Sequence, residues 1–275
     1  MEESKKGEMS FLEHLEVLRW HLIRSFVAVL VFAILAFIFK KFIFDVIILA
    51  PRSPEFPTNR WLCALGEAWS KPRLCINSNP FPLQTVKMAE QFTMHIVVSM
   101  LAGLIISFPY IFWEFWKFIK PAMYDNEKRT ASGAVFYTSL LFIMGVLFGY
   151  YLITPLSVQF LGYYKVSQEV ASIITLRSYV QTVSSVVLAS GIVFELPVLV
   201  YFLSKIGLIT PSFLKKYRRH SIIIILSLAA LITPPDLFSQ IMVAIPLVIL
   251  YEVGIGISRR ILKEKERQEG RKTAK

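Results

Sequence analysis

The sequence predicts an all-α integral membrane protein with six transmembrane helices, both termini cytoplasmic and the last two spans short. Three observations carry that expectation. The 275 residues are 55% hydrophobic and 18% charged, with a mean hydropathy of +0.56, which lies outside the range of soluble globular domains. The apolar residues gather in runs of membrane length. The Lys and Arg residues concentrate in alternate loops.

The apolar runs occupy residues 21–39, 91–113, 134–154, 179–203, 221–233 and 241–257. The first four are long enough to cross a hydrocarbon core of about 30 Å. Residues 221–233 reach only about 20 Å as a helix and end at Pro234-Pro235, which cannot continue it. Two short spans or a re-entrant hairpin fit that pattern, and both return the chain to the side it left. Basic residues at Lys215, Lys216, Arg218 and Arg219, and again at Arg259 and Arg260, anchor both ends and favour six spans. A single transmembrane domain over 1–260 and a basic cytoplasmic tail over 261–275 follow. The first run lacks a small-residue cleavage pattern, so it reads as a span and not as a cleavable signal. No internal repeat is visible, which weighs against a transporter of the inverted-repeat kind.

The net charge is +11. Of the 30 Lys and Arg residues, 21 lie in residues 1–24, 117–129, 205–219 and 259–275. By the positive-inside rule those segments are cytoplasmic. The charge therefore reports topology, and nucleic acid is not an expected partner. The bilayer is, and the basic tail reads as solvated or lipid-associated.

Catalytic arrangements fail on inspection. Ala189-Ser190-Gly191 lies in a span, but Leu188 replaces the glycine an intramembrane serine protease needs, and no later span holds a histidine. Metal-ligand spacing, a phosphate loop and paired intramembrane aspartates are missing from the sequence, so neither an enzyme nor a cofactor is expected. Glu195, deep in the fourth run within Phe194-Glu195-Leu196-Pro197, is a costly position for a carboxylate. It reads as a polar docking point for a partner helix or as a neutral, hydrogen-bonded core group. Glu114 and Glu252 lie near span ends, where snorkelling to the interface is the simpler expectation. Cys63 and Cys75, the two cysteines of the chain, share the large outside loop 45–88. They are either a disulfide formed in an oxidising compartment or two unpaired thiols, and without nearby histidines they argue poorly for a metal.

Two cytoplasmic segments look built for recognition. In Phe11-Leu-Glu13-His-Leu-Glu16-Val-Leu-Arg19-Trp-His-Leu22, apolar residues at 11, 12, 15, 18 and 22 form one stripe. Glu13, Glu16 and Trp20 fall on the neighbouring face. An amphipathic surface helix accounts for the stripe, yet carboxylates on a basic face invite a cation. Together with Glu127 they would form an acidic pocket, and a peptide bearing arginines is the matching ligand, because guanidinium binds carboxylate bidentately. The second segment is the loop Phe118-Ile-Lys-Pro121-Ala-Met-Tyr124-Asp-Asn-Glu127-Lys-Arg129.

These segments, with Phe194-Glu195-Leu-Pro197 and Thr233-Pro-Pro-Asp236-Leu-Phe-Ser-Gln240, resemble the TatC family. That family is the multi-spanning core and receptor subunit of the twin-arginine (Sec-independent) protein translocase. Ala50-Pro51 and Phe148-Gly-Tyr-Tyr with Pro155 also fit. The resemblance implies that Phe118 and Glu127 recognise the twin-arginine signal peptide, with Arg19 and Arg129 in the same motifs and Pro121 and Tyr124 shaping the loop. It implies that Glu195 and Pro197 serve the single-span TatA/TatB-type partners, and that Pro51, Asp236 and Gln240 support a periplasmic cap. The family usually carries Glu directly before the Leu-Arg of the first motif; here that position is Val17. Glu16, about 100° away around a helix, or Glu13 is the expected substitute.

The resemblance thus implies a receptor in the bacterial inner membrane, homo-oligomeric within its complex. It would bind signal peptides of folded cargo, recruit single-span subunits and export that cargo by the proton-motive force. The alternative is a proton-coupled secondary transporter of a small solute using Glu195, with Pro109 and Pro197 as helix breaks.

Overall fold

The computed structural model describes residues 11–71, 74–119, 131–167, 169, 172–232 and 237–273. Ten helices follow one another among them: α1 Phe11–Ile38, α2 Pro57–Ala68, α3 Glu90–Ile119, α4 Ala131–Phe148, α5 Thr154–Tyr163, α6 Leu176–Val193, α7 Leu196–Lys205, α8 Pro211–Lys216, α9 Arg218–Ile232 and α10 Leu237–Thr273. The described residues contain no strand, only one isolated parallel bridge between Gln84 and Thr175. Among the described residues, four stretches are long and apolar enough to cross a membrane: Leu15–Ile38, Glu90–Ile119, Val135–Tyr163 and Leu176–Lys205. They coincide with the first four apolar runs. α9, with 15 residues, reaches about 22 Å, and residues 241–257 lie inside the 37-residue α10, which continues to Thr273.

Local chemistry explains where helices break and where they do not. α1 runs without interruption from the N-terminal motif into the first apolar run. The third stretch passes from α4 through a π-helical turn, Gly149–Ile153, into α5. The fourth is broken at Phe194-Glu195, after which Pro197 occupies the first turn of α7, where its missing N–H costs no helical bond. Pro109, by contrast, is carried inside an unbroken α3, so it is not the break the transporter reading needed. The segment between the first two apolar runs holds more order than its composition suggested: a π-helical turn at Phe42–Ile48, a 3-10 turn at Ala50–Arg52 and the whole of α2.

The chain divides into two compact units, Met1–Phe39 with Ile96–Ser139 and Lys40–His95 with Leu140–Lys275. In the first, α1 and α3 approach at Gly103, where an added Cβ would lie 2.7 Å from both the Ala33 nitrogen and the Val29 oxygen. Buried Ala33 and Ala36 continue that small-residue seam, the usual device for close helix approach in lipid. In the second unit, Gly145 and Gly149 of a Gly-x-x-x-Gly repeat meet Ser190 of α6, with added Cβ atoms at 2.6 Å from its carbonyl oxygen and 2.8 Å from its hydroxyl. The core there gathers Ile153, Val186, Phe194, Ile225, Ala229 and Leu247.

Candidate functional site

In the first unit a buried carboxylate joins the N-terminal helix to the end of α3. Glu114 is 1% exposed. His21 Nδ1 lies 2.6 Å from its Oε2, Lys117 Nζ 3.5 Å from Oε1 and Arg24 Nη1 3.9 Å from Oε2. A carboxylate so deeply buried requires such partners. The snorkelling expected of Glu114 is therefore wrong: cations from two helices hold it inward. Glu252 is also paired, with Arg218 Nη2 at 2.7 Å from Oε1, but its side chain stays 41% exposed.

The same cluster sets the surroundings of Phe118. The His21 ring meets the Phe118 ring edge to face, centroids 6.1 Å apart. Lys117 Nζ sits 3.3 Å above the centroid of Trp113, a cation–π contact that holds its ammonium near Glu114. Five residues before His21, about 7.5 Å along the helix axis, Glu16 is exposed, as is Arg19. The Arg19 guanidinium lies 5.5 Å from the centroid of Trp20. Glu13 falls in the first turn of α1. Pro121, Tyr124, Glu127 and Arg129 lie outside the described residues, as does Asp236.

The second unit contains the expected cap residues. Pro51 is buried, and its carbonyl accepts from the Asn59 and Asn77 side-chain amides at 3.0 and 3.2 Å. Asn59 also donates to the Ser53 carbonyl at 2.7 Å. Asn77 donates to the Pro155 carbonyl at 3.1 Å, and its own N–H donates to Gln159 Oε1 at 2.6 Å. Tyr150 and Tyr179 hydroxyls donate to the carbonyls of Ile47 and Ile48, at 2.7 and 2.8 Å. Gln240 Nε2 donates to the Leu226 carbonyl at 3.1 Å, tying α10 to α9. Cys63 and Cys75 are joined, S–S 1.99 Å, across the end of α2.

Glu195 occupies the turn between α6 and α7. Its Oε1 is buried without a hydrogen-bond partner among the described residues. Pro197 beside it is buried.

Sequence reading missed His21, Glu114, Asn59 and Asn77 as organising residues. A partial signal existed: Tyr110, Glu114 and Lys117 share one helical face, as do His21 and Arg24. Nothing in the spacing says that the two faces meet.

Comparison with known proteins agrees with this architecture. The family model for TatC, Sec-independent protein translocase protein, matches residues 13–246. The protein of that name from Blattabacterium sp. subsp. Periplaneta americana is 40% identical over 95% of this chain and 99% of its own length. The one from Aquifex aeolicus is 33% identical over 94% and 98%. Two crystal structures of the twin-arginine translocase receptor TatC, one of them in the detergent DDM, superpose with TM-scores of 0.66 and 0.68 at 33% identity. They cover 91% and 90% of this chain and 100% and 99% of their own. The chain belongs to the TatC family and is a multi-pass membrane component of the twin-arginine protein translocase.

Proposed function

We propose that this protein is the signal-recognition subunit of the translocase. In that role it binds twin-arginine signal peptides at its cytoplasmic face and recruits single-span TatA/TatB-type subunits that pass folded cargo under the proton-motive force. The observation that carries the reading is the junction of His21 with Glu114 and Phe118. Through His21 and Phe118 it draws the two segments singled out for recognition to one end of the first unit. Glu16 and Glu13 on α1, with Glu127 from the loop, supply carboxylates for the two guanidiniums. Phe118 and Trp113 offer an apolar surface for the stretch that follows them. Arg19, Pro121, Tyr124 and Arg129 order the same surface.

Glu195 and Pro197 serve as the polar docking point for a partner helix, a role supported by the unpartnered buried Oε1; a donor from that helix would satisfy it. Pro51, Asp236 and Gln240 hold the periplasmic cap. In this reading the chain has six spans in one transmembrane domain over 1–260, the short α9 and the apolar part of α10 completing them. Both termini and the tail 261–275 are cytoplasmic, the membrane is the bacterial inner membrane, and the subunit is homo-oligomeric in its complex.

Photocrosslinking from Phe118 and Glu127 in membranes tests the central claim. An Arg-Arg signal peptide is expected to crosslink at both positions, and its Lys-Lys variant at neither. Equal crosslinking of the two peptides, or intact export of a twin-arginine reporter by Glu127→Ala, rejects it.

A further inference from the structure

We propose that the α1 face between Trp20 and Phe32 is a binding site for one anionic phospholipid, its phosphate on Arg24 and an acyl chain in the groove below. A groove of about 420 Å³ opens there, lined by Trp20, Arg24, Val27, Val31, Phe32 and Tyr110 among others. The α1 residues recur every three or four positions and so form one stripe. The stripe covers thirteen residues of α1, about 18 Å of helix, a little over half of a hydrocarbon core of about 30 Å. That is the reach of an acyl chain in one leaflet, and it is too short for a partner helix that must cross the whole bilayer.

The groove is polar at one end and apolar at the other. Arg24, Tyr110 and Trp20 mark the polar end, and Trp20, 50% exposed, suits the membrane interface. Val27 and Val31 are each 50% exposed along the apolar part. Charge favours an anion at the polar end. Two fixed cations, Arg24 and Lys117, face one buried carboxylate, Glu114, leaving a positive surplus. The Arg24 side chain is 55% exposed and its guanidinium stands 3.9 Å from Glu114, beyond hydrogen-bond length. It can therefore offer a planar fork of donors to a phosphate.

Native mass spectrometry of the full chain in detergent, titrated with phosphatidylglycerol and phosphatidylcholine, tests the site. Phosphatidylglycerol is expected to bind about fivefold more tightly, the contribution of one basic residue near a membrane surface. Arg24→Gln is expected to abolish that preference, Arg24→Lys to keep part of it, and Lys165→Gln, at an exposed position just after α5, to leave it unchanged. Ala28→Phe, which fills the groove, is expected to weaken both lipids. Gel filtration identifies any variant that misfolds, and Arg24→Lys then carries the test. Equal binding of the two lipids to the unmodified chain, or an undiminished preference in Arg24→Gln, overturns the proposal. A photoreactive residue at Val27 is expected to yield a phospholipid adduct in membranes; a polypeptide adduct instead would assign the groove to a partner helix.

Discussion

His21 Nδ1 and Glu114 Oε2 stand 2.6 Å apart, and this one contact fixes the N-terminal motif against the end of α3. α1 is otherwise a helix with little buried surface: only 11% of its membrane-length window is buried. Close helix approach at Gly103 sets the crossing, while the Glu114 cluster sets the rotation of α1 about its own axis. A helix held at a seam of small residues has few directional contacts. A buried, charge-assisted hydrogen bond supplies direction.

Replacement of Glu114 by Ala should therefore cost stability and recognition together. Breaking a buried charged pair costs about 3–5 kcal/mol. Lys117 and Arg24 are 40% and 55% exposed and can rehydrate, so a loss of about 2–3 kcal/mol is expected. Thermal unfolding in detergent measures it. Glu114→Gln should lose less, because an amide still bonds His21. A double-mutant cycle of His21→Ala with Glu114→Ala should show a coupling of about 1–2 kcal/mol; a coupling of zero would mean the two groups act independently.

Gly103 and Gly256 should respond oppositely to the same substitution. Gly103→Ala places a Cβ 2.7 Å from the α1 backbone, which has no flexible end to yield, so about 1–3 kcal/mol of destabilisation is expected. Gly256 lies within α10 with nothing within 4 Å of an added Cβ. Gly256→Ala should be neutral or stabilising by up to about 1 kcal/mol. Paired melting curves decide it, and equal effects at both positions would contradict the close crossing of α1 and α3.

Asn77 combines two roles that separate by mutation. Its side chain, 2% exposed, bridges the Pro51 and Pro155 carbonyls, and its backbone sits at φ +52°, where Asn and Gly are tolerated. Asn77→Gly removes only the amide and should cost about 0.5–1.5 kcal/mol, because the Pro155 carbonyl loses that donor while the Pro51 carbonyl keeps Asn59. Asn77→Ala should cost about 1–2 kcal/mol more, for the left-handed backbone. Equal losses in the two variants would show that backbone conformation contributes nothing there.

How far the sequence could be read depended on whether a feature was periodic or relational. The four long apolar helices announce themselves by run length, and Pro197 marks a real break because a helix restarts at its position. Pro109 looks the same in sequence yet leaves α3 unbroken, since neighbouring groups re-satisfy the freed carbonyl in membrane helices. α2 was hidden by its polar, mixed composition, which carries no membrane-length signal. Glu114 was misread for a similar reason: its distance from the end of an apolar run is visible, whereas the cations that pair with it come partly from a helix 93 positions away. Phe118, by contrast, was singled out from its own loop and lies beside that cluster.

The Cys63–Cys75 bond gives the segment between the first two apolar runs a measurable redox dependence. It closes twelve positions at the end of α2, where the Lys71 N–H already returns to the Gly66 carbonyl at 2.7 Å. Because the folded turn has its own hydrogen bonds, the bond acts mainly on the unfolded chain, and a loop of that size contributes about 3 kcal/mol. Thiol labelling of native, unreduced protein should find no reactive cysteine, and labelling after reduction and unfolding should find two. Cys63→Ser and Cys75→Ser should lower the melting temperature equally, and the double variant should lower it no further than either alone, since all three remove the same constraint. Two labelled thiols in the unreduced protein would exclude the bond, and unequal single variants would assign the loss to packing at one sulfur.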